Sequence, residues 1–332
     1  MSFIMNIRSV AKYESKILVR SWFFRIFTLL AVVFLGFFNF AMMLMEDNFG
    51  LWFAKSVSSN IPYLNLLLLN TGQAAVAVFL SSEFLKRDKK LDTFEVFYVR
   101  PLSNAEYVVG KIWGNLRVFL FLNLLVLAIV LAFNFMASGV TVDLPAYLVY
   151  FFLISIPTLI FIIGLSIFLM LLLKNQALTF ILLLGYIGLT LFYIQDKFYY
   201  LFDYMVYNLP LFKSTIVGFS NLELILNHRA IYFFAGLGFI FFTIFLFKRL
   251  PNARRSHYPW LFLSFCMFLL MVTAGFRHVR SILWEGEMRA LYTSINNKYV
   301  YEPKMAIDYY DISVEQKSET IRSVVGMEGT AL

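Results

Sequence analysis

The chain has 332 residues, of which 61% are hydrophobic and 14% are charged, and its formal net charge is +8. Soluble domains carry about 25% charged residues, so this composition excludes a cytosolic enzyme, a disordered chain and a disulfide-stabilised secreted module. The apolar residues form long uninterrupted runs, which are typical of membrane-spanning helices. The single cysteine, Cys266, lies in one of these runs and has no second cysteine to bridge.

Residues 1–21 predict an amphipathic helix that lies in the cytoplasmic membrane interface. Apolar residues recur there at near-helical spacing, with basic residues between them. The apolar positions are Phe3, Ile7, Val10, Ala11, Ile17 and Leu18, and the basic positions are Arg8, Lys12, Lys16 and Arg20. A cytosolic extension of the first span is the weaker alternative, because the apolar face would then stay in contact with water.

Seven apolar runs are long enough to cross a bilayer, which requires roughly 17–25 residues. They cover residues 26–45, 61–80, 118–136, 148–173, 177–194, 231–247 and 258–276. The first six belong to a transmembrane domain at residues 22–250, and the seventh span follows at residues 251–276. The sequence therefore predicts an all-α polytopic membrane protein with a short extracytoplasmic tail, containing some β structure, at residues 277–332.

The second span contains three amide side chains, Asn65, Asn70 and Gln73. At 100° per residue they lie within about 140° of arc on one side of the helix. They predict either the lining of a translocation pathway or interhelical hydrogen bonds, and the hydrogen bonds are the favoured alternative. The predicted spans place no ionisable residue at their centres, which argues against a carrier coupled to protons or sodium.

Residues 83–111, named here the coupling elbow, connect the second and third spans. Residues 91–98 predict a short amphipathic helix, whose apolar face includes Phe94 and Phe97. This helix is expected to end before Pro101, because proline disfavours helical geometry in the residue that precedes it. The basic side chains of the elbow suit either a protein partner or anionic lipid headgroups, which contribute about 1 kcal/mol per cation.

A capping box is predicted near the end of the coupling elbow. Ser103 and Glu106 have the required spacing, in which each side chain hydrogen-bonds to the backbone N–H of the other residue. A second helix is therefore expected to start at Ser103 and to continue into the third span.

The sequence of residues 100–111, Arg-Pro-Leu-Ser-Asn-Ala-Glu-Tyr-Val-Val-Gly-Lys, resembles the Pro-Leu-Ser…Gly-Lys segment of permease subunits of the type-two ABC exporter superfamily. In that family a glutamate that leaves the second span starts the coupling helix, and Glu83 matches it. The N-terminal amphipathic helix and the order of six spans are also similar. The resemblance covers residues 5–250.

The resemblance implies a permease that dimerises with a second permease chain, as a homodimer or heterodimer, and binds two copies of an ATP-binding cassette subunit. The coupling elbow would dock on the ATPase and carry force to the spans. The docking residues so implied are Glu83, Arg87, Lys89, Lys90, Phe94, Phe97, Arg100, Pro101, Ser103, Glu106 and Lys111. ATP and Mg would be bound by the partner, and no catalytic residue, cofactor or metal is expected on this chain.

The residues around Gly110 and Lys111 agree with a separate ATPase. A P-loop requires G-x-x-x-x-G-K-[ST] so that backbone amides and a hydroxyl hold the phosphates and magnesium. Here Ala105 replaces the first glycine, and Ile112 stands where Ser or Thr is needed. The three histidines lack the spacing of a zinc protease, and the serines within spans lack a His or Lys partner. An enzyme within the membrane is therefore not expected.

Two segments outside the predicted spans have patterns of their own. The outer loop at residues 195–230 is rich in aromatic residues, which predicts short helices at or within the outer interface. In the tail, residues 310–315 and 321–325 predict strands. Residues 309–315 are similar to the opening strand of zinc aminopeptidase-type domains. We therefore expect the tail to pack on a partner or to begin a larger domain.

The distribution of basic residues predicts the orientation. With the N-terminus inside, the cytoplasmic segments hold 17 Lys and Arg residues and the outer loops hold four, the tail apart. The positive-inside rule therefore favours a cytoplasmic N-terminus and an external tail. We expect a multi-pass protein of a bacterial cytoplasmic membrane, with anionic lipids and no nucleic acid among its partners.

Two functional hypotheses follow. The first is the permease subunit of an ATP-driven ABC exporter, which couples ATP hydrolysis on another chain to transport or to force transmission. The alternative is a non-transporting membrane anchor or assembly scaffold that presents an extracytoplasmic tail.

Overall fold

The computed structural model describes residues 2–44, 58–83, 102–136, 141–194, 196–209, 211, 213, 218–219, 221–247, 258–300, 302, 305–317 and 320–331. Within these ranges the chain forms eight helices and one β-hairpin. They are α1 (Ser2–Arg20), α2 (Trp22–Leu44), α3 (Asn60–Ser82), α4 (Asn104–Met136), α5 (Leu144–Leu173), α6 (Gln176–Ile194), α7 (Leu222–Leu246), α8 (Tyr258–Tyr299), β1 (Met305–Lys317) and β2 (Thr320–Ala331).

The seven predicted spans are confirmed as helices. In the described part of the chain, α2 to α8 are each long and apolar enough to cross a membrane. Helices α3, α4, α5 and α7 bury most of the core, whereas α2 and α6 expose large apolar side chains such as Phe37 and Phe192. An exposed apolar face is what a lipid environment accommodates, so the chain is a multi-pass membrane protein.

Close contact between α5 and α7 depends on two glycines. A Cβ atom at Gly164 would lie 2.6 Å from the carbonyl oxygen of Gly236. A Cβ atom at Gly236 would lie 2.7 Å from the backbone of Ile160. Small residues let membrane helices approach closely and gain packing contacts, and here they bring α5 and α7 into backbone contact.

The described part of the outer loop packs onto one end of the bundle. Tyr204, Met205 and Val206 are fully buried there. The loop forms turns and one 3₁₀ turn, Phe198–Tyr200, whose three residues have positive φ angles of 52°, 59° and 62°. The aromatic residues were predicted to form short helices, but the described residues between 196 and 219 form no α-helix. Of these aromatic residues Tyr204 is buried against the bundle, whereas Phe198, Tyr199, Phe202 and Tyr207 are exposed.

Helix α8 is much longer than the predicted seventh span. The sequence predicted an end at residue 276, but the helix has 42 residues and ends at Tyr299. At 1.5 Å per residue it is about 63 Å long. The hydropathy falls after residue 276 because charged residues begin there, yet these residues are compatible with a helix in water. Residues 279–299 are named here the α8 extension.

The two predicted tail strands are confirmed, and both are longer than predicted. They pair antiparallel, with Tyr310 opposite Met327 and Ile312 opposite Val325. These four apolar side chains share one face of the hairpin by the two-residue period of a strand. All four are exposed.

Candidate functional site: the joint between α1 and α4

Part of the coupling elbow lies outside the described residues. This part contains seven of the predicted docking residues, namely Arg87, Lys89, Lys90, Phe94, Phe97, Arg100 and Pro101. Of the others, Glu83 is half-buried and follows the last residue of α3. Ser103, Glu106 and Lys111 lie at the start of α4, where the geometry is described in full.

The capping box at the start of α4 is confirmed. The backbone N–H of Ser103 donates to Glu106 Oε2 at 2.6 Å, and the backbone N–H of Glu106 donates to Ser103 Oγ at 3.2 Å. The two bonds satisfy N–H groups that have no partner inside the helix. From this cap α4 runs 33 residues without interruption, a length of about 50 Å.

Helix α1 lies beside the first turns of α4 and runs parallel to it. Asn6 Nδ2 donates to Glu106 Oε1 at 2.9 Å, between residues 100 positions apart. Two further contacts keep the same separation in sequence, Val10 against Gly110 and Glu14 against Gly114. A constant separation over several turns means that both chains advance in the same direction. The two N-terminal segments therefore form one parallel helix pair, named here the α1–α4 joint.

Gly110 and Gly114 make this close packing possible. A Cβ atom at Gly110 would lie 2.7 Å from Val10 Cβ, and one at Gly114 would lie 2.7 Å from Glu14 Cβ. Real Cβ atoms do not approach other atoms so closely, so a side chain at either glycine displaces α1. The four-residue spacing of the glycines is the small-residue pattern of packed membrane helices. The sequence placed Gly110 in the Gly-Lys segment and excluded it from a P-loop, but the pairing of Gly110 with Gly114 was not predicted.

The α1–α4 joint contains a buried ion pair and a buried hydrogen-bond network. Lys111 Nζ lies 3.3 Å from Glu14 Oε2, and both side chains are at most 4% exposed. Nearby, Arg117 Nε donates to Ser15 Oγ at 2.5 Å, and Ser15 Oγ donates to the carbonyl oxygen of Gly114 at 2.7 Å. Breaking a buried pair costs about 3–5 kcal/mol because one charge is left uncompensated. The pair therefore holds α1 in one register on α4.

This joint changes the interpretation of the N-terminal helix. The helix itself is confirmed, but its buried side chains, Ala11, Glu14, Ser15 and Leu18, lie on α4. Helix α4 covers Ala11 of the predicted apolar face, whereas Phe3 of that face is 45% exposed. The location of α1 in the membrane interface stays a prediction. The four basic residues Arg8, Lys12, Lys16 and Arg20 are all exposed.

The joint also accounts for two predicted docking residues. Glu106 and Lys111 are buried, and both contact α1 of the same chain. Their contacts in the described part of the chain therefore position α4. Whether Glu83, Ser103, Glu106 and Lys111 also contact an ATPase stays a prediction.

Further along α4, a polar network joins three helices inside the bundle. Asn70 Nδ2 on α3 donates to Asn123 Oδ1 on α4 and to Ser155 Oγ on α5, both at 3.2 Å. Gln73 Nε2 donates to Asn70 Oδ1 at 2.6 Å, and Asn123 Nδ2 donates to Gln73 Oε1 at 2.9 Å. Asn65 forms a separate reciprocal pair with Asn39 of α2 at 2.7 and 3.1 Å.

The network supports one of the two alternatives for the amides of the second span, namely interhelical hydrogen bonding. Asn65, Asn70 and Gln73 are fully buried, and each hydrogen-bonds to another helix or to a residue that does. Interhelical hydrogen bonding is thus confirmed as a use of these side chains. Their role as a translocation lining stays a prediction.

A second buried polar group, which sequence reasoning missed, lies at the other end of the bundle. Arg229 was assigned to the outer loop, but α7 begins at Leu222 rather than at residue 231, so Arg229 lies two turns inside the helix. Its guanidinium donates to the carbonyl oxygens of Leu153 (2.6 Å) and Tyr204 (2.8 Å) and to Thr158 Oγ1 (2.8 Å). Arg229 thereby binds α5 and the outer loop to α7.

Two histidines attach the outer loop to α7 and α8. His228 Nε2 donates to the carbonyl oxygen of Tyr200 at 3.0 Å, and His278 Nε2 donates to that of Tyr199 at 2.9 Å. The centroids of the two imidazole rings lie 5.0 Å apart. They hold Tyr199 and Tyr200, whose positive φ angles cost about 1–2 kcal/mol per residue.

Asp203 fixes the turn that follows. Its two carboxyl oxygens accept hydrogen bonds from the backbone N–H groups of Tyr207 at 2.9 Å and Asn208 at 2.8 Å. Burial raises the pKa of the Asp203 carboxyl above its ordinary value, although these N–H groups oppose the shift. The carboxyl thus acts as a structural acceptor within the loop.

No protein-family model matches this chain, and no curated protein matches its sequence. The similarity to ABC permeases consequently depends on the residues quoted above. The function has to be argued from the α1–α4 joint and the helices that it positions.

Proposed function

We propose that this chain is the permease subunit of an ATP-driven exporter of the type-two ABC superfamily. It transmits the movement of a separate ATPase to the membrane-spanning bundle. The observation that carries the proposal is the continuity of α4, which begins at the capping box within the coupling elbow and reaches the polar network at Asn123 without a break.

Helix α4 suits force transmission because side-chain contacts fix it near its start and again near its centre. Near its start, Gly110, Lys111 and Gly114 fix it to α1. In the bundle, Asn123 ties it to α3 and α5. A displacement applied at residue 102 therefore moves α1 and the centre of the bundle together, since interfaces packed this closely do not deform continuously.

The partners follow from the same proposal. The coupling elbow docks on an ATP-binding cassette subunit, present in two copies, through the apolar side chains of Phe94 and Phe97. Polar contacts are made by Glu83, Arg87, Lys89 and Lys90. ATP and Mg are bound by that subunit. A second permease chain completes the complex. The chain lies in a bacterial cytoplasmic membrane with α1 inside, so that the basic residues of α1 face anionic lipid.

A second candidate function is a membrane anchor that presents an extracytoplasmic tail. The observation that favours it is α8, in which residues 279–299, all of them described, contain no buried side chain. Such a helix carries the hairpin away from the bundle. An anchor of this kind requires no ATPase.

Purification of the full chain from its native membrane in a mild detergent distinguishes the two functions. The exporter proposal predicts an ATP-binding cassette subunit in the purified complex by mass spectrometry, together with ATP hydrolysis that co-elutes with the permease. A complex without any ATP-binding subunit, obtained from membranes that retain their peripheral proteins, contradicts the exporter and supports the anchor.

A further inference from the structure

The α8 extension carries an apolar stripe that no other part of the described chain covers. The stripe consists of Trp284, Met288, Leu291 and Ile295, named here the α8 seam. Trp284 is 60% exposed, Leu291 is 48% exposed and Ile295 is 46% exposed. Successive members are four, three and four residues apart, so they share one side of the helix. A stripe of this kind is typical of a surface that packs against another helix.

Lipid does not cover this seam. Helix α8 is about 63 Å long, and the hydrocarbon core of a bilayer is about 30 Å thick, so the helix cannot be contained in it. The last buried residue of α8 is His278, and Ile282, one turn further on, still packs against the core; beyond Ile282 the extension leaves the bundle. Charged residues such as Glu285, Glu287 and Arg289 alternate with the seam, and charges at membrane depth are costly. The seam therefore lies in water.

The spacing of the seam matches a heptad repeat. Met288 and Ile295 take the a positions, and Trp284 and Leu291 take the d positions. A pair of helices with this pattern packs each apolar side chain into a hole on the facing helix. Ile at an a position next to Leu at a d position favours two strands. We propose that the α8 extension forms a parallel two-stranded coiled coil with the same segment of a second copy of this chain.

The charges beside the seam are complementary in such a pair. In the same register Arg280 takes a g position and Glu285 takes an e position. In a parallel coiled coil a g residue lies beside the e residue of the next heptad on the other strand, five positions further on. Arg280 of one copy therefore faces Glu285 of the other. The two-fold symmetry of a homodimer forms this pair twice.

The membrane fixes the parallel direction. Both copies have the same topology, so both extensions leave the same face of the bilayer and run the same way. Two heptads are short for a coiled coil in solution, where three to four are usual. Anchoring by the spans removes this limit, because the second contact is made at a high effective concentration. The proposal concerns a surface outside the six-span domain, and it holds for the exporter and for the anchor alike.

A cysteine scan of the full-length chain in membranes tests the proposal. In a Cys266→Ala background, single cysteines are placed at positions 284–295 and oxidised with copper phenanthroline. Disulfide-linked dimers are expected to peak for Trp284→Cys, Met288→Cys, Leu291→Cys and Ile295→Cys. Thr293→Cys and Ala290→Cys are the matched controls, since both are exposed but lie off the seam. Equal dimer yields at all positions, or dimers at none, overturn the proposal.

Charge reversal tests the register in the Leu291→Cys protein. Arg280→Glu and Glu285→Arg alone are each expected to lower the disulfide-linked fraction by roughly three- to tenfold, because each places like charges across two contacts. The double reversal restores the original yield. A double variant whose disulfide-linked fraction is as low as that of the single variants contradicts the pairing of Arg280 with Glu285. Cross-linking of Leu291→Cys to a different protein instead of to itself overturns the homodimer.

Discussion

Arg229 donates a hydrogen bond to the carbonyl oxygen of Leu153, four residues before Pro157 in α5. Leu153 lies in a π-helical turn, Phe151–Ser155, and in α-helical geometry its carbonyl would accept from the N–H of residue 157, which proline lacks. Arg229 Nε takes this place at 2.6 Å. The guanidinium also donates to Ile154 and Thr158 of the same turn. An arginine on α7 therefore supplies donors to a turn of α5. Its Nη1 also donates to the carbonyl oxygen of Tyr204 in the outer loop.

This relationship predicts a non-additive pair of substitutions. Arg229→Met leaves several buried acceptors without a donor and is expected to lower the stability of the detergent-solubilised protein by about 3–5 kcal/mol. Pro157→Ala lets this π-helical turn adopt α-helical geometry, in which the N–H of residue 157 donates to the carbonyl of Leu153, so part of the role of Arg229 is lost. The double variant is expected to be about 0.5–3 kcal/mol more stable than the sum of the singles predicts. Unfolding titrations of the four proteins measure this difference, and simple additivity contradicts the relationship.

The glycines of the α1–α4 joint give a second prediction. Gly110→Ala and Gly114→Ala each place a Cβ atom 2.7 Å from a side chain of α1, so α1 is expected to move away from α4. Trypsin should then cleave faster after Lys12 and Lys16. Gly36→Ala is the matched control, because a Cβ atom there has nothing within 4 Å. Unchanged cleavage in both joint variants would show that α1 does not depend on the close contact.

The buried ion pair of the joint gives a third prediction. Lys111→Met removes the Lys111 cation from the buried Glu14 carboxylate, and breaking a buried ion pair is expected to cost about 3–5 kcal/mol. Changing both residues, Lys111→Met with Glu14→Leu, removes both charges and is expected to be close to neutral. The apparent melting temperatures of the two variants in detergent measure the contrast. If the double variant melts at a lower temperature than Lys111→Met, the prediction from the buried pair is contradicted.

The capping box gives a fourth prediction, which concerns only the start of α4. Ser103→Ala removes the side chain that accepts the N–H of Glu106 and is expected to cost about 0.5–2 kcal/mol of local helix stability. Insertion is expected to be normal, because the spans insert through their hydrophobicity. Hydrogen exchange of residues 104–107 should rise while that of Asn123 stays unchanged. Failure of the variant to reach the membrane would instead assign the cap a role in assembly.

Local features of the fold could be predicted from the sequence, whereas its long-range contacts could not. The capping box was predictable because Ser103 and Glu106 are only three residues apart. The seven spans were predictable because the hydropathy of a segment depends on that segment alone. The partner of α1 was not: the helix from Ser103 into the third span was predictable, but its packing against a helix 100 residues away in sequence depends on the tertiary fold. The end of α8 was also not predictable, because a fall in hydropathy marks the end of an apolar run and not the end of a helix. Helix α8 continues to Tyr299, far beyond the fall in hydropathy at residue 276.

The candidate sites divide in the same way. The amides of the second span were recognised, but their partners Asn123 and Ser155 lie on other helices. Arg229 was placed in a loop because its charge precedes the apolar run of α7. Two signals were present in the sequence: a proline within the fourth span, which leaves a carbonyl free, and an arginine at the edge of another span. Pairing them required the tertiary fold.

The central claim is that the coupling elbow binds an ATPase subunit, and the most direct test measures how much ATPase co-purifies with elbow variants. Phe94→Ala with Phe97→Ala is expected to release the ATPase, since a buried aromatic anchor contributes roughly 1.5–3 kcal/mol. Lys89→Gln with Lys90→Gln is expected to act more mildly, because exposed ion pairs contribute about 0–1 kcal/mol. Both double variants are compared in anionic and in zwitterionic lipid, with insertion checked for each. A greater loss for the lysine variant that follows the anionic lipid content, or no ATPase with the unmodified chain, would contradict the account.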